Sequence, residues 1–492
     1  MKKLLFFAIA LAMVGCGKDD TAGSKSENLP PLPDATDVCS AMDDTAFAQF
    51  CIDKFDTNHD GKLSPEEAAA VTEIIDEGNG IKSFKGIEYF TALRKFTCSY
   101  NSDVKKIDLH YNTQMTTIAE SAFEACYGLE EVILPPTLRT IAEMAFSECE
   151  SLKAIDFPDT VTTIDDLAFD GCIALTSITL PSQLATIGEC AFNGCDNLSG
   201  VITIPDSVTT LEEGAFTACP LISGFSGKFA TADKRCLIAD GLLVSVVTAG
   251  LTSFTTPDNI TAIGGFTFYG CKNLTSITLP ANLKAIGEYA FYESGLTSIT
   301  IPEGVLAIEG RAFSDCTALR SIVIPDSVVE LGNAIFIYCT ALESATLGKG
   351  ITEITEFMFH KCEKLKEITI ADGAKVTLIG DSAFSGCSNL TKFVAPDTVT
   401  EIENAAFYRC SALSSVTIGK AITTIGNNVF YECLNLFNVY CKATTPPQLG
   451  AKVFDSNPAS AKIYVPKGYG ATYKAADGWK DVASKIEEIY FM

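Results

Sequence analysis

The sequence is poor in the residues and motifs that an active site requires. It contains three histidines and one tryptophan among 492 residues, and it has no glycine-rich phosphate loop, G-x-S-x-G elbow or H-E-x-x-H motif. None of the 19 cysteines lies in a C-x-x-C pair, which argues against a zinc site. Basic residues are also few, with 36 Lys and Arg against 61 Asp and Glu. The composition therefore predicts a protein that is not an enzyme and does not bind nucleic acid.

A long apolar run occurs only at the start of the chain. Residues 4–15 follow two lysines, are too few to form a permanent membrane span, and end at Cys16. With Gly15 before the cysteine, the segment resembles a bacterial lipoprotein signal peptide, although the residues before Gly15 depart from the usual lipobox. The resemblance implies removal of residues 1–15, lipid on Cys16, and a location at the cell surface or outer membrane with no other membrane contact. The alternative is an ordinary secretory signal in which the cysteine is incidental. Residues 16–38 are polar and proline-rich and predict a flexible tether.

Residues 56–67, DTNHDGKLSPEE, match a twelve-residue calcium loop at every position. The predicted ligands of one calcium ion are the side-chain oxygens of Asp56, Asn58, Asp60, Ser64 and Glu67 and the backbone carbonyl of Lys62. Helical spacing of apolar residues in 45–55 and 65–75 completes an EF-hand-like helical module over residues 39–80. A plain helix start is the competing explanation, because Ser64, Pro65 and Glu67 also form a capping box. A helix start does not require the side chains of Asp56, Asn58 and Asp60.

The calcium ion is predicted to be structural. Sensor proteins pair two such hands over a Met-rich groove, whereas this chain has one hand and seven methionines. A module placed directly before the following coils can cover their N-terminal end. Extracellular calcium modules bind at about 10⁻⁴ to 10⁻³ M, which suits a site that is filled outside the cell.

Internal repetition dominates the rest of the chain. Phenylalanine recurs at steps of 22 to 25 residues, with one step of 52, at positions 123, 146, 169, 192, 216, 268, 291, 313, 336, 359, 384, 407 and 430. The surrounding pattern, L-x-x-I-x-I-P-x-x-V-x-x-I-G-x-x-A-F-x-x-C, predicts a short strand that ends at proline. One such coil cannot bury its own apolar edge, so the units are expected to stack with their strands in parallel.

This 23-residue unit resembles the BspA-like, or Treponema-type, leucine-rich repeats of bacterial surface proteins. The resemblance covers residues 119–440 and implies an α/β repeat solenoid, a right-handed coil of short parallel strands. Residues 81–118 look like shorter leucine-rich coils, and residues 441–492 look like a C-terminal capping module. Because such repeats serve adhesion, protein binding and spacing alike, the resemblance is specific for the fold and weaker for function.

Twelve cysteines follow a repeat phenylalanine by three residues, and Ser294 takes the thirteenth place. This periodicity predicts buried structural residues whose thiols bond weakly to the backbone. Stacking would bring neighbouring cysteines within disulfide reach, but parallel Cβ vectors disfavour the required torsion, so free thiols are favoured.

The outward strand positions of the coils form the predicted binding face. Seven of them are threonine: Thr179, Thr203, Thr278, Thr300, Thr346, Thr369 and Thr417. The alternative is β-propensity, since threonine suits an exposed strand whatever the protein binds. Residues 222–250 interrupt the repeat and predict a hairpin that bulges from the stack, either for recognition or as a spacer.

These features predict a surface adhesin or protein-binding scaffold whose partner is a host or neighbouring-cell surface protein. The alternatives are a glycan-binding accessory of nutrient uptake and a passive spacer. Sugar platforms usually need exposed tryptophan or tyrosine. Here the single tryptophan, Trp479, lies in the closing module and most phenylalanines belong to the repeat ladder, which weighs against glycan binding.

Overall fold

The computed structural model describes residues 29–76, 78 and 80–491. The predicted signal peptide and Cys16 lie outside the described residues, as do residues 16–28 of the predicted tether. Helices are few: α1 (Thr45–Phe55), α2 (Pro65–Ala70) and α3 (Gly470–Ala475), with 3-10 turns at Val38–Ala41, Ile87–Tyr89 and Trp479–Lys485. Within these described ranges, no helix has the length and apolar character needed to cross a membrane.

The strands are short and numerous. In chain order they are β1 (Glu73–Ile75), β2 (Lys95–Thr97), β3 (Lys106–Asp108), β4 (Thr117–Ile118), β5 (Glu131–Ile133), β6 (Thr140–Ile141), β7 (Thr163–Ile164), β8 (Thr186–Ile187), β9 (Gly200–Ile204), β10 (Thr210–Leu211), β11 (Ile222–Gly227), β12 (Cys236–Ala239), β13 (Leu242–Val246), β14 (Ser253–Thr255), β15 (Ala262–Ile263), β16 (Ser276–Thr278), β17 (Ala285–Ile286), β18 (Ala307–Ile308), β19 (Ser321–Ile324), β20 (Glu330–Leu331), β21 (Ser344–Leu347), β22 (Glu353–Ile354), β23 (Glu367–Ile370), β24 (Leu378–Ile379), β25 (Lys392–Val394), β26 (Glu401–Ile402), β27 (Ser415–Ile418), β28 (Thr424–Ile425), β29 (Asn438–Cys441), β30 (Gln448–Leu449), β31 (Lys462–Pro466) and β32 (Ile486–Ile489).

Each regular repeat contributes a two-residue strand to one side of the coil, and most repeats add a longer strand on another side. Strands β19, β21 and β23 pair in register on the longer side, and β4, β6, β7, β8 and β10 form one continuous sheet of the shorter kind. Among the described strands, every ladder is parallel except β12–β13. The predicted solenoid of short parallel strands is confirmed.

The repeat phenylalanines stack inside the coil in two runs, one from Phe123 to Phe216 and one from Phe268 to Phe430, on either side of the insertion. The ring of Phe169 lies 5.1 Å from both Phe146 and Phe192, centroid to centroid, and within 4° of parallel to each. This distance is close to the spacing of about 4.8 Å between paired strands, so identical side chains in successive coils meet face to face. These rings are fully buried and form the centre of the hydrophobic core.

The cysteine ladder runs beside the rings. Cys339 Sγ donates to the Phe313 carbonyl oxygen at 3.0 Å, and Cys362 Sγ donates to that of Phe336 at 3.1 Å. At the one ladder position that holds serine instead of cysteine, Ser294 Oγ lies 3.2 Å from Cys316 Sγ. The ladder cysteines are free and buried, as predicted, and all of them except Cys271 bond through Sγ to a backbone carbonyl.

The chain turns sharply on both sides of each ladder phenylalanine. Around Phe313, Arg311 and Asp315 have left-handed φ angles of 55° and 59°. Such a conformation costs a non-glycine residue roughly 1–2 kcal/mol. The turns point backbone N–H groups at the next coil: those of Phe313 and Asp315 donate to Ile335 and Ile337 carbonyls at 3.0 and 2.9 Å. Bonds between coils therefore offset the strain within each coil.

The N-terminal helical module shares the core of the first coils. A chain of edge-to-face aromatic contacts runs from Phe47 in α1 through Phe84 and Phe96 to Phe123, with centroid distances of 5.1, 4.8 and 5.7 Å. The module thus lies over the open end of the phenylalanine stack. Its second helix is shorter than the pattern predicted, because residues 73–75 pair with β2 instead of continuing α2. Consecutive β-branched residues favour this strand once a partner strand is available.

Part of the predicted tether is attached to this module rather than free. Val38 is fully buried, and the Tyr89 hydroxyl donates to the Pro30 carbonyl oxygen at 3.0 Å. Lys62 Nζ lies 3.2 Å from Asp34 Oδ2. The prediction of a free tether is therefore wrong for residues 30–38, where apolar and hydrogen-bonding groups find partners on the folded unit.

The insertion at 222–250 does not bulge from the stack, and that prediction is wrong. A hairpin is present in β12–β13, but β13 pairs in parallel with β15, and β11 pairs with β9. Phe225, Leu237 and Val244 are fully buried. Because these apolar side chains need cover on both sides, the inserted segment becomes one more, irregular coil of the solenoid.

The C-terminal end is closed by α3 and the turn that follows it. The ring stack continues one step beyond the predicted repeats, from Phe430 to Phe454 at 5.8 Å. Tyr473 and Trp479, both fully buried, then cover it. Trp479 Nε1 donates to the Pro447 carbonyl oxygen at 2.8 Å, which anchors the closing segment on the last coil.

Candidate functional site

The loop between α1 and α2 is held by its own polar side chains. The two carboxylate oxygens of Asp56 accept the N–H groups of His59 and Gly61 at 2.7 and 2.9 Å. Asn58 Oδ1 accepts from the Asp60 N–H at 2.8 Å, and Asp60 Oδ1 accepts from the Lys62 N–H at 2.9 Å. Gly61 has a φ of +80°, which a side chain would strain.

Glu67 reaches back across this loop. Its Oε1 accepts from the N–H groups of Thr57 and Asn58 at 2.8 and 3.2 Å, and its Oε2 accepts from the Ser64 N–H at 3.0 Å. The hydrogen bond from the Thr57 hydroxyl is the largest influence that lowers the pKa of Glu67 to about 2. The capping box with Ser64 is complete. A helix cap alone would not require the contacts with residues 57 and 58.

The donor set fits calcium in its chemistry. Carboxylate, amide, hydroxyl and carbonyl oxygens are the ligands that this hard cation takes. Both oxygens of Glu67 and of Asp56 already accept hydrogen bonds, and no three acidic, histidine or cysteine side chains of the described residues converge as a metal centre. Ion binding would therefore require Glu67 to exchange its contacts within the loop.

The structure brings the predicted threonines together only in part. Thr179, Thr203, Thr278, Thr300 and Thr369 are exposed, whereas Thr346 and Thr417 are half-buried. Thr346 and Thr369 lie side by side with the exposed Val323 in β19, β21 and β23. Thr179 and Thr300 lie outside the assigned strands. A groove of about 600 Å³ beside Thr369 also separates β23 from β25. The face is thus a row of polar patches rather than one continuous sheet.

A cluster of tyrosines on the turn side of the coils was missed by the sequence analysis. Tyr269 stacks on Tyr292 at 4.8 Å, and Phe266 stacks on Tyr289 at 5.2 Å, with the Arg311 guanidinium 5.7 Å from the Tyr289 ring. All four rings are partly exposed. The signal was present in FTFY and YAFY, where an aromatic residue flanks the ladder phenylalanine on both sides. Trp479 is buried, as its place in the closing module suggested.

A family model described as the BspA type leucine rich repeat region matches residues 91–223, 247–366 and 352–472, with six copies. Residues 224–246, between the first two matches, fall within the insertion. The comparison with curated proteins gave no significant match.

Solved structures of bacterial leucine-rich repeat proteins are similar to this chain. One from Bacteroides ovatus ATCC 8483 is 30% identical, covering 72% of this chain and 88% of that chain, with a TM-score of 0.47. One from Eubacterium ventriosum ATCC 27560 is 21% identical, covering 69% and 88%, with a TM-score of 0.50. A leucine rich cell surface protein from Faecalibacterium prausnitzii A2-165 is 24% identical, covering 75% and 83%, with a TM-score of 0.40.

No catalytic family is indicated by these matches, and a leucine-rich repeat solenoid is typically a scaffold. The family match extends over more than half of the chain and includes both the regular coils and part of each flank. This protein belongs to the BspA-type leucine-rich repeat family.

Proposed function

We propose that this protein is a cell-surface adhesin or protein-binding scaffold, held on the membrane by lipid at Cys16. The observation that carries the proposal is the row of exposed threonines on the longer-strand side of a solenoid whose core is covered at both ends. Thr203, Thr278 and Thr369 each lie in an assigned strand with the side chain exposed. A closed core leaves the outer surface of the coils for recognition.

The charge of the chain indicates the kind of protein partner. The formal net charge is −25, so a partner with a basic or neutral patch is favoured over an acidic one. Association with a basic patch should slow as salt screens the attraction. Because similar strand positions recur along the solenoid, several weak contacts can act together and raise the overall affinity.

The test compares two sets of three substitutions in the full-length protein. Thr203→Lys, Thr278→Lys and Thr369→Lys change the proposed face, while Thr117→Lys, Thr210→Lys and Thr352→Lys change exposed positions in or beside the shorter strands. We expect the first set alone to weaken binding to immobilised extracellular-matrix proteins at least tenfold. Equal losses in both sets would count against the threonine face. Deletion of residues 222–250 is unsuitable because it would remove β11 and β13 from the stack.

We also propose that the loop at 56–67 binds one structural calcium ion. The loop joins two helices that cover the first coils: Leu63, its eighth residue, is fully buried, and the Leu63 carbonyl oxygen accepts the Val38 N–H at 2.7 Å. An ion held by Asp56, Asp60 and Glu67 would neutralise neighbouring carboxylates and fix both helices on the core. It would stabilise the N-terminal end and carry no signal.

A further inference from the structure

The insertion leaves a cavity where the regular stack resumes. The coils of Phe216 and Phe268 touch at their corners, where Thr217 Oγ1 donates to the Phe266 carbonyl oxygen at 3.2 Å and the Gly265 N–H donates to Glu213. Farther along, residues 248–251, at the end of the inserted segment, line the space between the two coils. The result is a surface cavity of about 520 Å³. That volume lies within the range of about 300–1,000 Å³ typical of small-molecule sites.

Cys271 lies at the floor of this cavity, where the ladder of cysteine hydrogen bonds is interrupted. The other ladder cysteines bond through Sγ to a carbonyl of the preceding coil, as Cys316 does to Phe291 at 3.1 Å. Among the described contacts Cys271 Sγ has no such bond, because the inserted segment displaces the coil that would supply the carbonyl. The residue lines the cavity and is 9% exposed. The cavity therefore extends inward as far as the cysteine ladder.

Tyr269 forms a rigid aromatic wall of the cavity. One face of its ring is stacked on Tyr292 at 4.8 Å, and the ring also contacts Phe266 at 6.1 Å. The surface that Tyr269 presents to the cavity is therefore fixed in direction. Its neighbours in the lining are polar, and Lys272 Nζ forms an ion pair with Glu293 Oε2 at 2.9 Å, beside the exposed Asp196 and Asn273.

We propose that this cavity binds a neutral saccharide, with a sugar ring against Tyr269 and hydroxyls bonded by Lys272, Glu293, Asp196 and Asn273. The apolar face of a sugar ring packs on an aromatic ring, and its hydroxyls need donors and acceptors together. Lys272 and Asn273 supply donors, and the two carboxylates supply acceptors. Because Lys272 and Glu293 neutralise each other, the rim favours a polyhydroxyl ligand over an anion. This inference goes beyond the proposed scaffold function and does not depend on it.

The first test is an array of neutral hexose and pentose oligosaccharides probed with the full-length protein, followed by calorimetry with the strongest ligand. Tyr269→Ala should lower the affinity at least tenfold, and Tyr269→Phe should retain it because the ring stays stacked. Tyr431→Ala is the matched control, since Tyr431 stacks on Tyr408 at the same repeat position, at 5.6 Å, but lies outside this cavity. Absence of any binding, or equal losses in Tyr269→Ala and Tyr431→Ala, would overturn the proposal.

The second readout is the alkylation rate of Cys271 in the native protein. The saccharide identified on the array should slow this reaction several-fold in a dose-dependent way, while the rate at the fully buried Cys316 stays unchanged. Lys272→Ala, an exposed substitution that should not affect folding, should weaken both binding and protection. A saccharide that binds without protecting Cys271 would show that its site lies elsewhere and would contradict the proposal.

Discussion

Individual residues in this fold have roles set by the repeat. Each ladder cysteine is small enough for the inside of a turn and has one weak donor, which, at every ladder position except Cys271, a carbonyl of the preceding coil accepts, as for Cys387 and Phe359 at 3.1 Å. The same periodicity that revealed these residues in the sequence indicates a structural role for them.

Thiol reactivity is the first prediction at this scale. Burial raises the pKa of Cys316 and Cys433 to about 12. Their thiolates are therefore absent at pH 8 in the native state, and alkylation should be slow. After denaturation without reductant, mass spectrometry should find most ladder cysteines alkylated. Systematic disulfides between neighbouring coils would disagree with this account.

Glu213, at the junction with the insertion, gives a pH-dependent prediction. Burial, with smaller effects from Glu309 and Glu212, raises the pKa of Glu213 above 4.5, so the native state holds its proton more tightly than the unfolded state. Stability should then fall as pH rises from 4.5 through the raised pKa.

Glu213→Gln should consequently stabilise the protein at pH 7, by less than about 1 kcal/mol because solvent screens the partly exposed group. The amide oxygen can still accept the Gly265 N–H. Thermal unfolding at pH 7 and pH 4 should show a gain at pH 7 only, and the exposed Glu212→Gln serves as the control. A gain of equal size at both pH values would contradict the assignment.

At the scale of elements, the sequence predicted secondary structure correctly where one periodicity repeats. It failed where the structure of a segment depends on the strand with which that segment pairs. Thirteen similar units leave no doubt about stacking, so the ring and cysteine ladders could be read directly. Residues 73–75, EII, were predicted to be helical, but the same residues also suit a strand, and pairing with β2 decided the outcome. The parallel pairing of β13 with β15 depends likewise on a partner outside the segment. The tyrosine cluster needed the three-dimensional stacking of separate coils.

The calcium loop supplies the prediction for an element. At a calcium concentration ten times the dissociation constant, one site adds about 1.4 kcal/mol of stability. Asp56→Ala and Glu67→Ala should abolish this calcium-dependent gain and loosen only the N-terminal end, measured by hydrogen exchange with calcium and with chelator.

Glu66→Ala, on the same helix turn but outside the predicted ligand set, should retain the calcium-dependent gain. Loss of the Glu67 cap also destabilises the helix, but that loss is the same with and without calcium. A wild-type protein whose melting profile is unaffected by chelation would refute the structural calcium ion.

At the scale of the whole molecule, the described residues form two hydrophobic cores that meet at the hairpin β12–β13. Leu237 and Val244 belong to the N-terminal core, whereas Cys236, Leu243 and Val246 belong to the C-terminal core. Stability in a solenoid comes from contacts between neighbouring coils. A destabilising core substitution should therefore loosen the structure only on its own side of this hairpin.

A pair of core substitutions tests this division. Phe169→Ala and Phe384→Ala should each cost about 3–5 kcal/mol, because both rings are fully buried. Hydrogen exchange should rise between the N-terminal module and residue 235 for the first variant, and beyond residue 250 for the second. Equal increases across the whole solenoid would show that the two cores form one cooperative unit.

The proposal that this protein is a lipid-anchored adhesive scaffold is tested most directly by adhesion of intact cells. Cells carrying the wild-type protein, the Cys16→Ala variant, or the triple variant at Thr203, Thr278 and Thr369 would be measured on immobilised extracellular-matrix proteins under equal expression. The account predicts adhesion by the wild type, and loss of adhesion in both variants, with the Cys16→Ala protein released from membranes in folded form. Wild-type adhesion that persists in the Cys16→Ala and threonine variants alike, or that does not exceed that of cells lacking the protein, would contradict it.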